Sequence, residues 1–444
     1  MSPLPHAGIR DTVSFMLDVF LPTAAKGPLI RRPRAEALAE RLDLDRRAVA
    51  RMQKLDSKYP AGPLLLRLPF RKQALVLRPD QLHRVLAESP EPFSTASSEK
   101  RGALAHFEPR NVLVSTGTER TARRALQEQA LDTSSPVHRL ADSFLPVIDE
   151  EADALLSAAR AATGTLDWPL FTAAWHRAVR RVVFGDAARD DVELTDMLAR
   201  LRKDANWSGL KPRRDSVRKE FHRRVRAGID AAAPGSLASV MRGRPDTDPS
   251  APGDQVPQWL FAFEAAGIAA FRALALLATH PDQAATARQE IAGDASGGRN
   301  LPFLRACLLE SVRLWPTTPM ILRQTTGQVA WENGTMPEGC GVLIFVPYFH
   351  RDGRRLPQAD SFDPGLWLQQ DALSGDPETW GVVPFSDGPA RCPGRQLVLL
   401  MSSALLARLL RDHTFALESA RLSPDRPLPG TLSHFPLRFR VSPL

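Results

Sequence analysis

Cysteine, tyrosine and lysine are all scarce in this sequence of 444 residues, with three, two and eight copies. Three cysteines (Cys307, Cys340 and Cys392) cannot build a disulfide framework, and none stands in a C-x-x-C pair. Such usage fits a reducing, cytoplasmic compartment. Uninterrupted apolar runs long enough to cross a bilayer, about 18 residues, are missing, so no transmembrane segment is expected. The apolar stretch 13–21 is broken by Asp18 and is followed by no clean small-residue cleavage site, so no secretory signal is expected. Internal repeats and low-complexity tracts are absent. So are zinc-finger and RNA-platform signatures, and the arginines are spread along the whole chain. Nucleic acid is therefore not the expected partner, despite a formal charge of +8. No flavin- or nicotinamide-binding module is evident either.

What is present is an ordinary globular composition, 43% hydrophobic and 24% charged, in a chain long enough to bury a large core. Residues 64–68 and 74–78 alternate like two strands around a turn at 69–72. A helix is expected at 80–88, a loop at 94–117, and a helix at 118–131 that carries Arg120, Arg123 and Arg124. Helical periodicity dominates 136–230 and ends in a charged block at 211–226, which reads most simply as a solvated helix face. Residues 231–253 read as a mobile connection. The longest apolar stretch, 256–279, has Asp254 as its expected N-cap and is hydrophobic on nearly every face, so it should run through the core. Another helix is expected at 302–315, and strands at 329–331, 342–346 and 437–441. Between 349 and 384 lies a long Pro/Gly-rich irregular segment, a kind that is often functional. The chain reads as one domain, 1–444, mainly α with small peripheral β-sheets.

The densest chemistry lies in Pro384-Phe385-Ser386-Asp387-Gly388-Pro389-Ala390-Arg391-Cys392-Pro393-Gly394. Two glycines and the prolines force a tight turn that runs into a helix, with Pro393 suited to the first helical position. Cys392 then sits where free N–H groups and the helix dipole favour an anion, and Arg391 and Arg395 add positive charge. That field should lower the thiol pKa and favour the thiolate that ligates metals. Gly388 and Gly394 would let a flat ring approach the backbone, and Phe385 could pack on its face. On these residues alone, an inert buried cysteine is an equally open reading.

Phe385-x-x-Gly388-x-x-x-Cys392-x-Gly394 resembles the haem-ligand loop of the cytochrome P-450 superfamily. Glu310-Ser311-Val312-Arg313 is similar to that family's E-x-x-R helix. Arg323, His350-Arg351-Asp352 and Leu428-Pro429-Gly430 follow in the family's order. The resemblance implies the cytochrome P-450 fold, haem b as cofactor and Cys392 as axial ligand of its iron. Thiolate ligation favours O–O cleavage. By the same resemblance Glu310 and Arg313 brace the fold behind the haem, while Arg120, Arg124 and Arg323 hold the two propionates, with Arg391 beside them. The substrate pocket would be lined by Ala266, Gly267, Ala269 and Ala270, and by 94–114, 317–322 and 431–434. The implied activity is a soluble, bacterial-type monooxygenase of the kind used in secondary metabolism. It would act on a small, hydrophobic molecule, as a monomer, with electrons from an acidic ferredoxin or flavodoxin docking near Arg391, Arg395 and Arg408.

Three positions depart from the pattern. The family's arginine two residues before the cysteine is Ala390. The arginine that completes the brace aligns with Leu366. In the long helix, the acid–alcohol pair that relays protons aligns with Ala269 and Ala270. Glu264 and Arg272 are expected to face elsewhere. The last departure leaves open a peroxide-using enzyme, or one catalysing rearrangement or coupling. A haem-binding module without catalysis is a third reading, disfavoured by the intact cysteine loop.

Overall fold

Helices make up 55% of the chain and strands 10%, as the periodicity of the sequence leads one to expect. The computed structural model describes residues 4–245, 248–368, 381–419 and 422–444. The axis of the architecture is the helix Pro252–Thr279. At a rise of about 1.5 Å per residue it runs roughly 40 Å. Among the described residues it is the helix long and apolar enough to cross a membrane, but 78% of its most apolar window is buried in protein. Around it pack Trp168–Phe184, Pro302–Leu314 and Arg395–Arg411. Its start is not where sequence placed it. Ala251 precedes it in the left-handed region, φ 45°, and Asp254 lies inside the first turn, ion-paired with Arg110 at 2.7 Å rather than capping.

A five-stranded sheet stands apart from this helical body, in the order Leu64–Leu68, Arg71–Leu75, Gly341–Phe345, Met320–Thr325, Phe93–Ser94. The first hairpin is tighter than expected. Leu68 pairs with Arg71, so the turn is only Pro69 and Phe70, and the second strand begins three residues early. A three-stranded sheet joins Thr165–Asp167, Arg438–Pro443 and His413–Leu417. Of these only the C-terminal strand was foreseen. The other two are short, and their pairing comes from residues far away in sequence.

Two stretches read as loop or linker carry structure. Residues 94–117 contain the helix Ser98–Leu104, whose first turn is capped by Ser97 Oγ accepting from the Lys100 N–H. Residues 231–253 contain the short helix Leu237–Met241 with three buried apolar side chains, so it is packed and not loose. Within the segment 349–384, Pro364–Trp367 forms a helical turn, and residues 369–380 lie outside the described residues. A large apolar core fills the helical body and a smaller one backs the five-stranded sheet. The cysteine loop crosses between them, with Val383 in the smaller core and Phe385 and Leu397 against the larger.

Candidate functional site

The loop before Cys392 is a chain of tight backbone contacts. Pro384 bridges Ser386, which takes φ +61°. Gly388 takes φ +67°, the Arg391 N–H donates to Gly388 O at 3.0 Å, and the Cys392 N–H donates to Phe385 O at 2.9 Å. The following helix starts at Arg395 with Gly394 as N-cap, so Pro393 lies just outside it rather than at its first position. Gly388 is also needed for a reason the sequence could not show. A Cβ there would lie 2.2 Å from Leu86 O, so its missing side chain serves contact with the helix Pro79–Ala87. At Gly394 the nearest atom to a built Cβ is Leu131 Cδ1 at 3.8 Å, and that position is open. Thr133 Oγ1 ties the loop's end by donating to Pro393 O at 2.9 Å.

Cys392 is half-buried and keeps some accessible surface. Cys307 and Cys340 are fully buried, and burial pushes both thiols up, Cys340 to about 11. The expectation of a lowered Cys392 pKa is overturned for the polypeptide by itself. Burial raises it, and outweighs the Gly394 and Arg395 N–H groups and the guanidinium charges of Arg124 and Arg395, all of which lower it. Those N–H groups nonetheless aim at the sulfur, and a cation opposite it would tip the balance to thiolate.

Three cations lie near one another without a paired anion among the described residues. Arg323 is 3% exposed and donates only to neutral acceptors, Ser89 Oγ at 2.9 Å and Leu322 O at 3.1 Å. Burial, then the charge of Arg120, lowers its pKa to about 10. Arg120 is lowered by burial and by Arg124, and its Nε is buried without a partner. Lys100, which sequence reasoning did not single out, is half-buried. Its Nζ donates to Leu322 O at 3.0 Å and Thr95 O at 3.1 Å. None of the three forms an ion pair among the described residues. Arg124 does otherwise. It pairs with Glu128 at 2.6 Å and donates to Arg391 O at 2.9 Å, which steadies the loop. The Arg391 side chain is exposed. Arg395 is half-buried, with its Nε unpartnered.

Below the loop, Glu310 and Arg313 are both 0% exposed. Arg313 donates to both carboxylate oxygens, at 2.6 and 2.7 Å, and to the carbonyls of His350, Gln358, Ala359 and Ser361. Glu310 also accepts from the Asp363 N–H at 3.0 Å and from Trp367 Nε1 at 2.8 Å. The third member of this brace is thus the indole next to Leu366, a neutral donor in place of a cation. His350 Nε2 accepts from the Val383 N–H at 2.9 Å, which links the brace to the chain entering the cysteine loop.

The long helix is where the sequence reading shifts most. Gln258, Phe261, Ala262, Glu264 and Ala265 keep accessible surface, while every residue from Ala266 to Leu277 is buried. Ala266, Gly267, Ala269 and Ala270, the expected pocket wall, are covered by protein. A Cβ on Gly267 would lie 2.7 Å from Trp175 Cδ1, and Trp175 Nε1 donates to Phe263 O at 2.6 Å. Ala269 O accepts from Ser311 Oγ at 2.8 Å, and Ala270 is 0% exposed. The accessible stretch lies about one turn earlier. There Glu264 ion-pairs with Arg202, whose guanidinium sits 4.5 Å over the Phe261 ring. Arg272 is buried and donates to the carbonyls of Trp315 and Leu432. A crevice of about 240 Å³ beside Asp45, Arg46, Gln53, Arg351 and Asp360 shares no residue with the cysteine site.

A dianionic tetrapyrrole fits these residues. A half-buried cysteine with N–H groups aimed at its sulfur, and a cluster of cations without paired anions that adjoins Arg124, are a donor set for iron and two propionates. The comparisons agree. The family model "Cytochrome P450" matches residues 264–438. The cytochrome P450 monooxygenase nodW of Hypoxylon pulicicidum is 29% identical over 167 residues, 35% of this chain and 30% of that protein. Probable cytochrome P450 4s3 of Drosophila melanogaster is 29% identical over 145 residues, 32% and 28% respectively. The chain thus spans about three-tenths of the length of the curated relatives it matches. Among solved structures, the retinoic acid bound cyanobacterial CYP120A1 aligns over 100% of both chains with a TM-score of 0.72 at 17% identity, and the cytochrome P450 CYP102L1 does so with 0.72 at 18%. The fold is the cytochrome P450 fold, and the resemblance read from the motifs holds.

Proposed function

We propose that this cytochrome P450-like chain is a haem-thiolate monooxygenase that inserts one oxygen atom from O2 into a small apolar organic molecule. The observation that carries this reading is the half-buried Cys392, whose sulfur the Gly394 and Arg395 N–H groups face, in a tight loop that Arg124 holds through the Arg391 carbonyl. Haem b, when bound, supplies the oxidative chemistry. The protein's share is to hold the sulfur with the N–H groups of Gly394 and Arg395, to neutralise the propionates with Arg120 and Arg323, and to keep water out with apolar walls. Arg124 contributes to holding the Arg391 carbonyl more than to the propionates. The electrons come from an acidic ferredoxin or flavodoxin. The docking charge falls mainly on Arg391, which is exposed, because Arg408 is neutralised by Asp153 and Asp412. The setting is a reducing cytoplasm and the active unit a monomer of one domain.

A second reading has its own observation. Among the accessible residues of the long helix from Gln258 to Ala265 none carries a hydroxyl, and the carboxylate there, Glu264, is held by Arg202. That arrangement favours a peroxide-using enzyme or one that rearranges its substrate. Haem-loaded protein treated with reductant and CO is expected to show the red-shifted Soret band of thiolate ligation, and Cys392→Ser to abolish it. Turnover supported by ferredoxin and oxygen bears out the first reading, and turnover by peroxide alone the second. Failure to take up haem overturns both.

A further inference from the structure

The apolar stretch near the start of the chain takes no part in the cysteine site, and the fold does not bury it. Residues 9–25 form one rod: the helix Ile9–Phe15, the π turn Met16–Phe20 and the helix Leu21–Ala25. Thr12, Phe15, Val19 and Thr23 are its buried side. Its other side carries Ile9, Val13, Leu17 and Leu21, between 49% and 68% exposed. Residues four apart drift by about 40° per step around an α-helix. The wider π turn takes back part of that drift, so the four side chains form a straight apolar ridge. A surface helix ordinarily turns polar side chains outward, and one that is apolar on both sides lacks a partner.

Cations stand beside the ridge on two neighbouring elements. One is the helix Leu44–Lys58, tied to the rod by Arg51 on Asp18 and Lys58 on Asp11, each at 2.7 Å. Arg47, Arg51, Lys54 and Lys58 recur along it at steps of four, three and four residues and so share one face. The other is the hairpin of Leu64–Leu68 and Arg71–Leu75, whose Arg67 N–H donates to Thr12 Oγ1 at 3.2 Å. Arg67 and Lys72 stand directly opposite one another in its register, a like-charge pair that costs stability unless an anion lies against it. At the hairpin tip Phe70 takes φ +65° and is wholly exposed. Arg10, Arg47, Lys54, Arg67 and Lys72 are exposed and form no ion pair among the described residues, whereas both acids of the rod, Asp11 and Asp18, are paired.

We propose that this face docks on an anionic lipid surface, with the ridge and Phe70 entering the headgroup boundary and the flanking cations meeting lipid phosphates. The grip of such an interfacial helix grows with its apolar area and with the attraction of cations for anionic lipid. The rod lies on the bilayer and does not cross it, because its other side stays packed on the fold. A second copy of the chain suits the ridge less well, since pairing like faces would set these cations against one another.

The test sediments the full chain with vesicles of phosphatidylcholine mixed with phosphatidylglycerol, and with vesicles of phosphatidylcholine alone. The mixed vesicles are expected to bind at least about ten-fold more tightly, the effect of a few cations near an anionic surface. High salt should remove that advantage. Val13→Glu combined with Leu17→Glu should abolish binding to both kinds of vesicle. Arg47→Gln combined with Lys54→Gln should weaken binding to the mixed vesicles several-fold and leave the neutral ones unaffected. All four side chains are exposed, so the circular dichroism of both variants should match that of the unaltered protein. Lipid docking is overturned if the unaltered protein stays in solution with both vesicles, if it binds both alike, or if the ridge variant binds as well as it does. It is overturned too if the protein dimerises without vesicles and the ridge substitutions make it monomeric, since a second copy then covers the ridge.

Discussion

Trp367 Nε1 donates to Glu310 Oε1 at 2.8 Å in a site from which solvent is excluded, and completes a brace whose cation, among the described residues, is Arg313. Trp367→Phe removes this donor and leaves the same oxygen with one partner, Arg313 Nε. The expected cost is about 1–3 kcal/mol, that of a buried acceptor losing a bond. Urea unfolding of the haem-loaded protein measures it. A change below about 0.5 kcal/mol would mean the indole is not part of the brace.

Removing either half of the ion pair should cost more. Glu310→Ala strands the Arg313 guanidinium at 0% exposure, and Arg313→Ala strands the carboxylate. Each should destabilise by about 3–5 kcal/mol or abolish soluble, haem-binding protein. Arg313→Lys should not rescue, because an ammonium cannot bond both carboxylate oxygens and four carbonyls from the guanidinium's plane. Soluble yield and haem content after expression decide it.

Acid should loosen the fold through His350. Burial, then the nearby Arg313 charge, lowers its pKa to about 3. Below about pH 6.5 the unfolded chain takes up a proton that the folded chain refuses. Stability therefore rises with pH, and is lost at about 1.4 kcal/mol per unit for this group as pH falls from 6.5 toward 3. Replacing His350 with Gln should lower stability at pH 7 and flatten its acid dependence by close to one proton. Urea midpoints between pH 5 and 8 test this, and an unchanged slope rules His350 out as the source.

The two glycines of the cysteine loop should respond differently to one methyl group. At Gly388 a Cβ meets the Leu86 carbonyl at 2.2 Å in a left-handed backbone, so Gly388→Ala is expected to cost more than about 2 kcal/mol and to impair haem uptake. At Gly394, φ −88° and 3.8 Å of clearance predict a change of about 1 kcal/mol or less. Thermal melts of the two variants side by side check the contrast.

What the sequence determined by itself is local. The spacing of glycines and prolines around Cys392, the three-residue step from Glu310 to Arg313 and the predominantly apolar character of the central helix each depend on neighbours in the chain. Each reappears in the structure at those positions. Tertiary structure decided what depends on distant elements coming together. Trp175 packs on Gly267 and Ser311 bonds the Ala269 carbonyl, in the stretch that the resemblance offered as the pocket wall, and the accessible residues of the helix lie earlier, between Gln258 and Ala265. Trp367 takes the role for which alignment offered Leu366, because the brace closes on whichever donor the backbone turn presents to Glu310. The Cys392 thiol is pushed up, not down, because burial is a property of the whole fold while the helix-end field is written in a few adjacent residues. Lys100 meets the Leu322 carbonyl only because the strand Met320–Thr325 comes to lie beside its helix.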